Sequence, residues 1–228
     1  GDGFKPQQKR FMDLAEIGDL ERKSILDIGA GYGDLLDFIK KVGIKISDYK
    51  GIDFSDRMVE IAQKKHPEYE FERRNIRLDP LEEESYDYVF GSGIFFLKHP
   101  DWKKDVHEAV ESMFKTARIG VAVNFLMDEG KNAGDLNYVN PDEVKEELRS
   151  ITHKLDIYED KPIGDFTVYL FKDKKTSSLL KFEYIIEPEQ FHVNDWVRIK
   201  SKSVYPDPLH DDWVGKEGRI CRVILNGI

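Results

Sequence analysis

The stretch Ser24-Ile25-Leu26-Asp27-Ile28-Gly29-Ala30-Gly31-Tyr32-Gly33-Asp34 decides the fold. Its first five residues form a short β-rich run, and three glycines follow at alternate positions. Asp34 to Val42 then places Leu35, Leu36, Phe38 and Ile39 at helical spacing. A strand, a tight turn and a helix are expected in that order. Glycines at such a turn let the backbone bend sharply and approach a ligand, and the helix N-terminus offers N–H groups that have no partner within the helix. Taken alone, the pattern also describes an ordinary strand-to-helix connection. Asp53 adds to it. The strand-like run Tyr49 to Asp53 ends on this acid, 24 residues beyond Gly29, near the ~20-residue spacing at which a carboxylate accepts ribose hydroxyls in doubly wound nucleotide folds.

The same alternation continues outward. Before the glycine turn, Lys5 to Leu20 carries Phe11, Leu14, Ala15 and Ile17 at the spacing of a short amphipathic helix. After Asp53, Ser55 stands as an N-cap before a helix with Met58, Val59, Ile61 and Ala62, which His66-Pro67 ends. Tyr69 to Asn75 alternates as a half-buried strand, and Tyr86 to Phe90 is a strand closed by Gly91-Ser92-Gly93. Trp102 to Phe114 predicts a helix and Ile119 to Leu126 a buried strand. A further helix is predicted over Pro141 to Leu148, with Asn140 as N-cap and proline at the first position. His153 to Tyr158 and Phe166 to Phe171 close the set as two strands with only a short link between them. The expected class is therefore α/β, a doubly wound and mainly parallel sheet with one reversed strand. After Asp173-Lys174-Lys175-Thr176 the character changes to short β-rich runs between turns. This gives a main domain over 1–175, a linker or extra strand over 176–190, and a small β unit over 191–228.

Composition narrows the function. The 228 residues carry a formal net charge of −9, which argues against broad wrapping of phosphate backbones. Cys221 is the one cysteine, so an intrachain disulfide and a cysteine zinc centre are excluded, and a reducing cytoplasm is the expected location. No apolar run approaches the ~18–20 residues that cross a bilayer, and Gly1 to Arg10 lacks a basic-then-apolar leader pattern, so no membrane association is expected. The six histidines show no compact ligand spacing, and no metal is expected.

The glycine turn and Asp53 together indicate an adenosine-type ligand. A dinucleotide would set a pyrophosphate against the turn, where the nearby Asp27 carboxylate is unfavourable. S-adenosylmethionine has no phosphate and carries an ammonium and a sulfonium, which an acid favours. The Gly-x-Gly-x-Gly spacing also departs from Gly-x-Gly-x-x-Gly. A nicotinamide-dependent oxidoreductase stays as an alternative.

Residues 24–172 resemble the class I S-adenosylmethionine-dependent methyltransferases. The Asp27–Gly33 loop is similar to that family's first motif and Gly51-Ile52-Asp53-Phe54-Ser55 to its second. The resemblance implies a seven-stranded sheet with an antiparallel last strand. It implies cofactor contacts from Asp27, Gly29, Ala30, Gly31 and Gly33, ribose binding by Asp53, and Phe54 lying along the adenine. Asn75, followed by Ile76, stands where the family commonly has an adenine-contacting Asp, and an amide oxygen accepts the same hydrogen bond. Ser85 to Ser92 is similar to the fourth strand, so Gly91 and Ser92 are expected beside the methionine moiety and the reaction site. The Asn-Pro-Pro or Asp-Pro-Pro motif of amino-methylating nucleic-acid enzymes is absent there, as is a cysteine nucleophile, which disfavours DNA base methylation.

His99 and Tyr138 are the candidate catalytic contacts, and the long Met127 to Asn140 loop is expected to act as a lid or acceptor wall. The acceptor is unidentified, with a small molecule favoured. The tail over 191–228 loosely resembles an SH3-like unit, and its Arg198, Lys200, Lys202, Lys216, Arg219 and Arg222 offer contact to RNA or protein. A non-catalytic cofactor-binding scaffold is the competing class.

Overall fold

The computed structural model describes residues 6–128, 130 and 134–172, with the backbone of 196–198 and 217–219. The chain divides into two units, Gly1–Leu179 and Leu180–Ile228. In the first, the elements are α1 (Pro6–Ala15), β1 (Ser24–Ile28), α2 (Asp34–Lys41), β2 (Asp48–Asp53), α3 (Asp56–Lys65), β3 (Glu70–Arg73) and β4 (Tyr86–Gly91). They continue with α4 (Trp102–Thr116), β5 (Ala117–Met127), β6 (Tyr138–Val139), α5 (Pro141–Leu148), β7 (Leu155–Asp160) and β8 (Asp165–Phe171).

The sheet runs β3-β2-β1-β4-β5-β8-β7, with the two-residue β6 pairing beside the end of β5. Strands β1 to β5 run parallel to one another. Only β8 is reversed, antiparallel to both β5 and β7. The seven-stranded expectation with an antiparallel final strand therefore holds, and β6 is an addition too short to leave a periodic signal. Strand β5 is buried without a break from Gly120 to Met127, because helices cover both faces of a parallel sheet and leave no side for polar alternation. The caps form as their residue types require: Ser55 Oγ accepts from the Met58 amide, and Asn140 Oδ1 accepts from that of Asp142.

Helix α1 is shorter than the apolar spacing suggests. It ends at Ala15, and Ile17 and Leu20 are buried from the turn and loop that follow. The helix docks on the β7–β8 hairpin through charge as well as apolar contact. Tyr169 Oη donates to the Asp13 carbonyl at 2.5 Å, Lys9 Nζ lies 3.4 Å from Asp160 Oδ2, and Arg10 Nε donates to Asp165. Asp13, Asp160 and Asp165 are all buried. Burial pushes the Asp13 carboxyl up to about 8 despite Lys9 beside it.

In the second unit, β9 (Trp196–Arg198) pairs antiparallel with β10 (Glu217–Arg219). Apart from these six backbone positions, the SH3-like reading of 191–228 lies outside the described residues. Among the described residues no helix is long and apolar enough to cross a membrane, and no three His, Cys, Asp or Glu side chains converge as a metal site.

Candidate active site

The carboxyl ends of β3, β2, β1 and β4 lie in a row, and the glycine turn leaves the middle of that row. Gly29 and Ala30 donate backbone N–H groups to the Ile52 carbonyl at 2.8 and 3.0 Å, which ties the turn to the neighbouring strand. The Gly31 amide donates to Asp53 Oδ2 at 3.0 Å, and the Ser55 amide donates to Asp53 Oδ1 at 2.9 Å. Asp53 thus braces both loops while each carboxylate oxygen keeps acceptor capacity.

Two of the glycines are needed for different reasons. Gly31 has φ +54 and faces open space, with Met58 Sδ at 4.0 Å the nearest atom to a Cβ built there; this leaves a ligand room to approach. Gly33 has φ +76 and starts α2, where a Cβ would come within 2.8 Å of His66 Cδ2 and 3.2 Å of Phe71.

Asp27 lies under the turn, only 2% exposed, and accepts from Tyr49 Oη at 2.6 Å. Burial pushes its carboxyl up to about 7, against the lowering effect of the Tyr49 hydrogen bond. The same contact and burial hold the Tyr49 phenol well above its ordinary range.

Beside the turn a cavity of about 350 Å³ opens, within the size range of small-ligand sites. It brings together Gly29, Asp53, Phe54, Asn75, Ile76 and His99 from the sequence-based candidates. Phe54 stands at the rim, 77% exposed. Asn75 Oδ1 already accepts from the Arg77 amide at 3.1 Å, and its second lone pair is left for a ligand. Asp27, Ala30, Gly31, Gly33, Gly91, Ser92 and Tyr138 lie outside the lining. Tyr138 sits in β6, half-buried.

The sequence reading missed Ile94, Arg77, Trp102 and Asp105, which also line the cavity. Asp105 bridges two of its walls: its Oδ1 lies 2.7 Å from Arg77 Nη1 and its Oδ2 2.7 Å from His99 Nδ1. Arg77 also reaches Glu108 at 2.8 Å. No local spacing announces this group, because its members come from three separate segments. Ile94 had a usable signal, its place next to Gly91-Ser92-Gly93 at the strand end.

From the residue after β4 a part-buried polar chain runs across β5 to β8. Ser92 Oγ donates to Asn124 Oδ1 at 2.9 Å, and Asn124 Nδ2 donates to Thr167 Oγ1 at 2.8 Å. Further along the same loop, two strips pair. Leu97 and Leu136 form an antiparallel bridge, the Asn137 amide donates to the Phe96 carbonyl at 2.9 Å, and that of Lys98 donates to the Asp135 carbonyl at 2.8 Å. The expected lid over Met127 to Asn140 is thus tied to the β4–α4 loop along 135–137. Arg10 of α1 stacks over the Phe96 ring at 4.8 Å.

A doubly wound sheet, an acid ending β2 and a glycine turn with free approach at Gly31 define a nucleoside-cofactor enzyme of the Rossmann-like class. Comparison with known proteins narrows this. Residues 25–116 match the family model described as "Methyltransferase domain". The chain is 33% identical over 129 residues to "Putative methyltransferase Rv1506c" of Mycobacterium tuberculosis, an alignment spanning 52% of this chain and 74% of that protein. Two solved structures share the fold. Magnesium protoporphyrin IX methyltransferase from Synechocystis PCC 6803, with bound SAH, gives a TM-score of 0.56 at 15% identity over 76% of this chain and 90% of that one. A SAM-dependent methyltransferase from Aquifex aeolicus gives 0.51 at 22% identity over 74% and 98%. The chain belongs to the methyltransferase-domain family.

Proposed function

We propose that this protein moves the methyl group of S-adenosylmethionine to a small-molecule acceptor that enters beneath the paired strips at 95–98 and 135–137. The observation that carries the reading is the alignment, along one cavity, of Asn75 and Ile76 past β3, Asp53 at the end of β2 and Gly29 at the end of β1. These positions match the three parts of an adenosyl ligand: base, ribose and the 5′ substituent. S-adenosylmethionine supplies a methyl group already activated on a sulfonium. The chain's own residues therefore have to bind, orient and exclude water rather than generate a nucleophile of their own. Asp53 accepts from ribose hydroxyls, Phe54 and Ile76 flank the base, and Asn75 meets its polar edge. The strips cover the reaction end, with Phe95 and Leu97 giving an apolar wall that favours a compact, partly apolar acceptor.

His99 lines the cavity but is held by Asp105 beside Arg77, which favours a role in closing the mouth over one in taking the acceptor's proton. The basic residues of the tail support contact with RNA or protein as a second acceptor class, and the single cysteine fits a cytoplasmic setting. Titration calorimetry with S-adenosylmethionine, S-adenosylhomocysteine and NAD tests the cofactor, and binding of NAD alone would sink the reading. Radiolabelled methyl transfer into metabolite, RNA and protein fractions of the source cell tests the acceptor class. Label in the metabolite fraction is expected.

A further inference from the structure

The carboxyl edge of the sheet is a ruler along which a bound cofactor is laid out. Its order is β3, β2, β1, β4. With the base past β3 and the ribose at Asp53, a chain leaving the ribose away from the base must pass over Gly29 at β1 and reach Gly91 at the end of β4. That path is filled by one side chain. A Cβ built on Gly29 would stand 2.4 Å from Ile94 Cγ2, and one built on Gly91 would stand 2.7 Å from Ile94 Cδ1. The two branches of Ile94 therefore rest on the two glycines, one on each.

The open cavity is consistent with this. It includes Asp53, Asn75, Ile76 and Gly29, is bounded by Ile94, and leaves Gly91 and Ser92 outside its lining. Its volume is in the range a nucleoside needs, and Ile94 stands between it and Gly91. The loop that carries Ile94 is fixed from both sides. The Phe96 amide donates to the Gly93 carbonyl at 3.3 Å, Leu97 bridges Leu136, and Arg10 covers the Phe96 ring.

We infer that Ile94 is the specificity-determining residue for cofactor length. It admits the adenosine half without rearrangement and has to be displaced before the amino-acid half can lie across Gly29 and Gly91. The inference rests on the adenosyl reading of the cavity and adds to it a discrimination between nucleoside and full cofactor. A protein whose competent state is only partly populated binds with an affinity reduced by that fraction. Trimming the side chain removes this reduction for the long ligand and leaves the short one untouched.

The test is calorimetric titration of adenosine and of S-adenosylhomocysteine into the wild-type protein, Ile94→Ala and Ile94→Phe. Ile94→Ala is expected to tighten S-adenosylhomocysteine by about fivefold and to leave adenosine within about twofold. Ile94→Phe should keep adenosine and lose S-adenosylhomocysteine. Adenosine binding reports that each variant is folded around the site, and Ile94→Phe covers the case in which the alanine variant is too unstable to titrate. Unchanged or weaker S-adenosylhomocysteine binding by Ile94→Ala, or its retention by Ile94→Phe, overturns the assignment while the cofactor reading stands. Failure of the wild type to bind either ligand overturns the cofactor reading itself and this inference with it.

Discussion

Tyr49 gives its hydroxyl proton to the hydrogen bond with Asp27, and the pair is sealed under the glycine turn where water does not reach the carboxylate. The acid's pKa in the native state is about 7, against an ordinary value of 3.8. The native state therefore holds a proton in this interval that the unfolded chain has released, and stability falls as pH rises from 3.8 to about 7. Asp27→Asn should flatten part of that fall. Urea unfolding at intervals between pH 4 and pH 8 measures it, and a slope equal to that of the wild type would show that Asp27 does not titrate there. Asp13, with a raised value of about 8, keeps a remaining slope in the variant.

Asp53→Ala should weaken S-adenosylhomocysteine binding by about tenfold or more, since charge-assisted hydrogen bonds contribute about 1.5–3 kcal/mol each. The carboxylate also holds the Gly31 and Ser55 amides, so the variant should melt at a lower temperature as well. Calorimetry and thermal unfolding on the same sample separate the two effects. A folded variant with wild-type affinity would remove Asp53 from the ribose site.

Arg10→Ala leaves the buried Asp165 carboxylate without its guanidinium and uncovers the Phe96 ring. Removing one partner of a buried pair costs about 3 kcal/mol, and a loss of this order is expected in denaturant unfolding. Hydrogen exchange at 95–98 should quicken in the same variant. No change there would mean that α1 does not steady the loop.

The pairing of 95–98 with 135–137 predicts that the amides of Asn137 and Lys98, each bonded to the opposite strip, exchange slowly before any ligand is added. S-adenosylhomocysteine should shift the exchange of both strips in parallel. If Asn137 changes and Lys98 does not, the two move separately.

Residues that act through their own neighbours in the sequence were legible; those that act through contacts across the fold were not. The glycine turn, Asp53 and the order of strands follow from spacing, since a strand ending on a turn or an acid presents it at the sheet edge wherever the helices pack. Asp27 had a visible motif, but its burial against Tyr49 depends on the register that sets β1 beside β2. The Asp105 bridge joins a loop after β3, the loop before α4 and α4 itself, and periodicity carries no information about such a meeting. The ties that hold the second half of the Met127 to Asn140 loop were hidden for a related reason. Glycines and polar residues in Met127 to Asn140 suggest loose chain, while the hydrogen bonds that restrain its second half come from a strip some 40 residues earlier.

The chain Ser92–Asn124–Thr167 ties the residue after β4 to β5 and β8 by side chains, beside the backbone pairing of those strands. A floor fastened in this way is insulated from whatever is altered in the strips above it. The exposed positions Leu97, Lys98, Asp135 and Leu136 can then vary with little effect on the sheet below. On the proposed function, such a layout would let acceptor preference change while the methyl donor stays the same. In laboratory selection, libraries confined to Leu97, Lys98, Asp135 and Leu136 should yield a high proportion of folded variants that still bind S-adenosylhomocysteine.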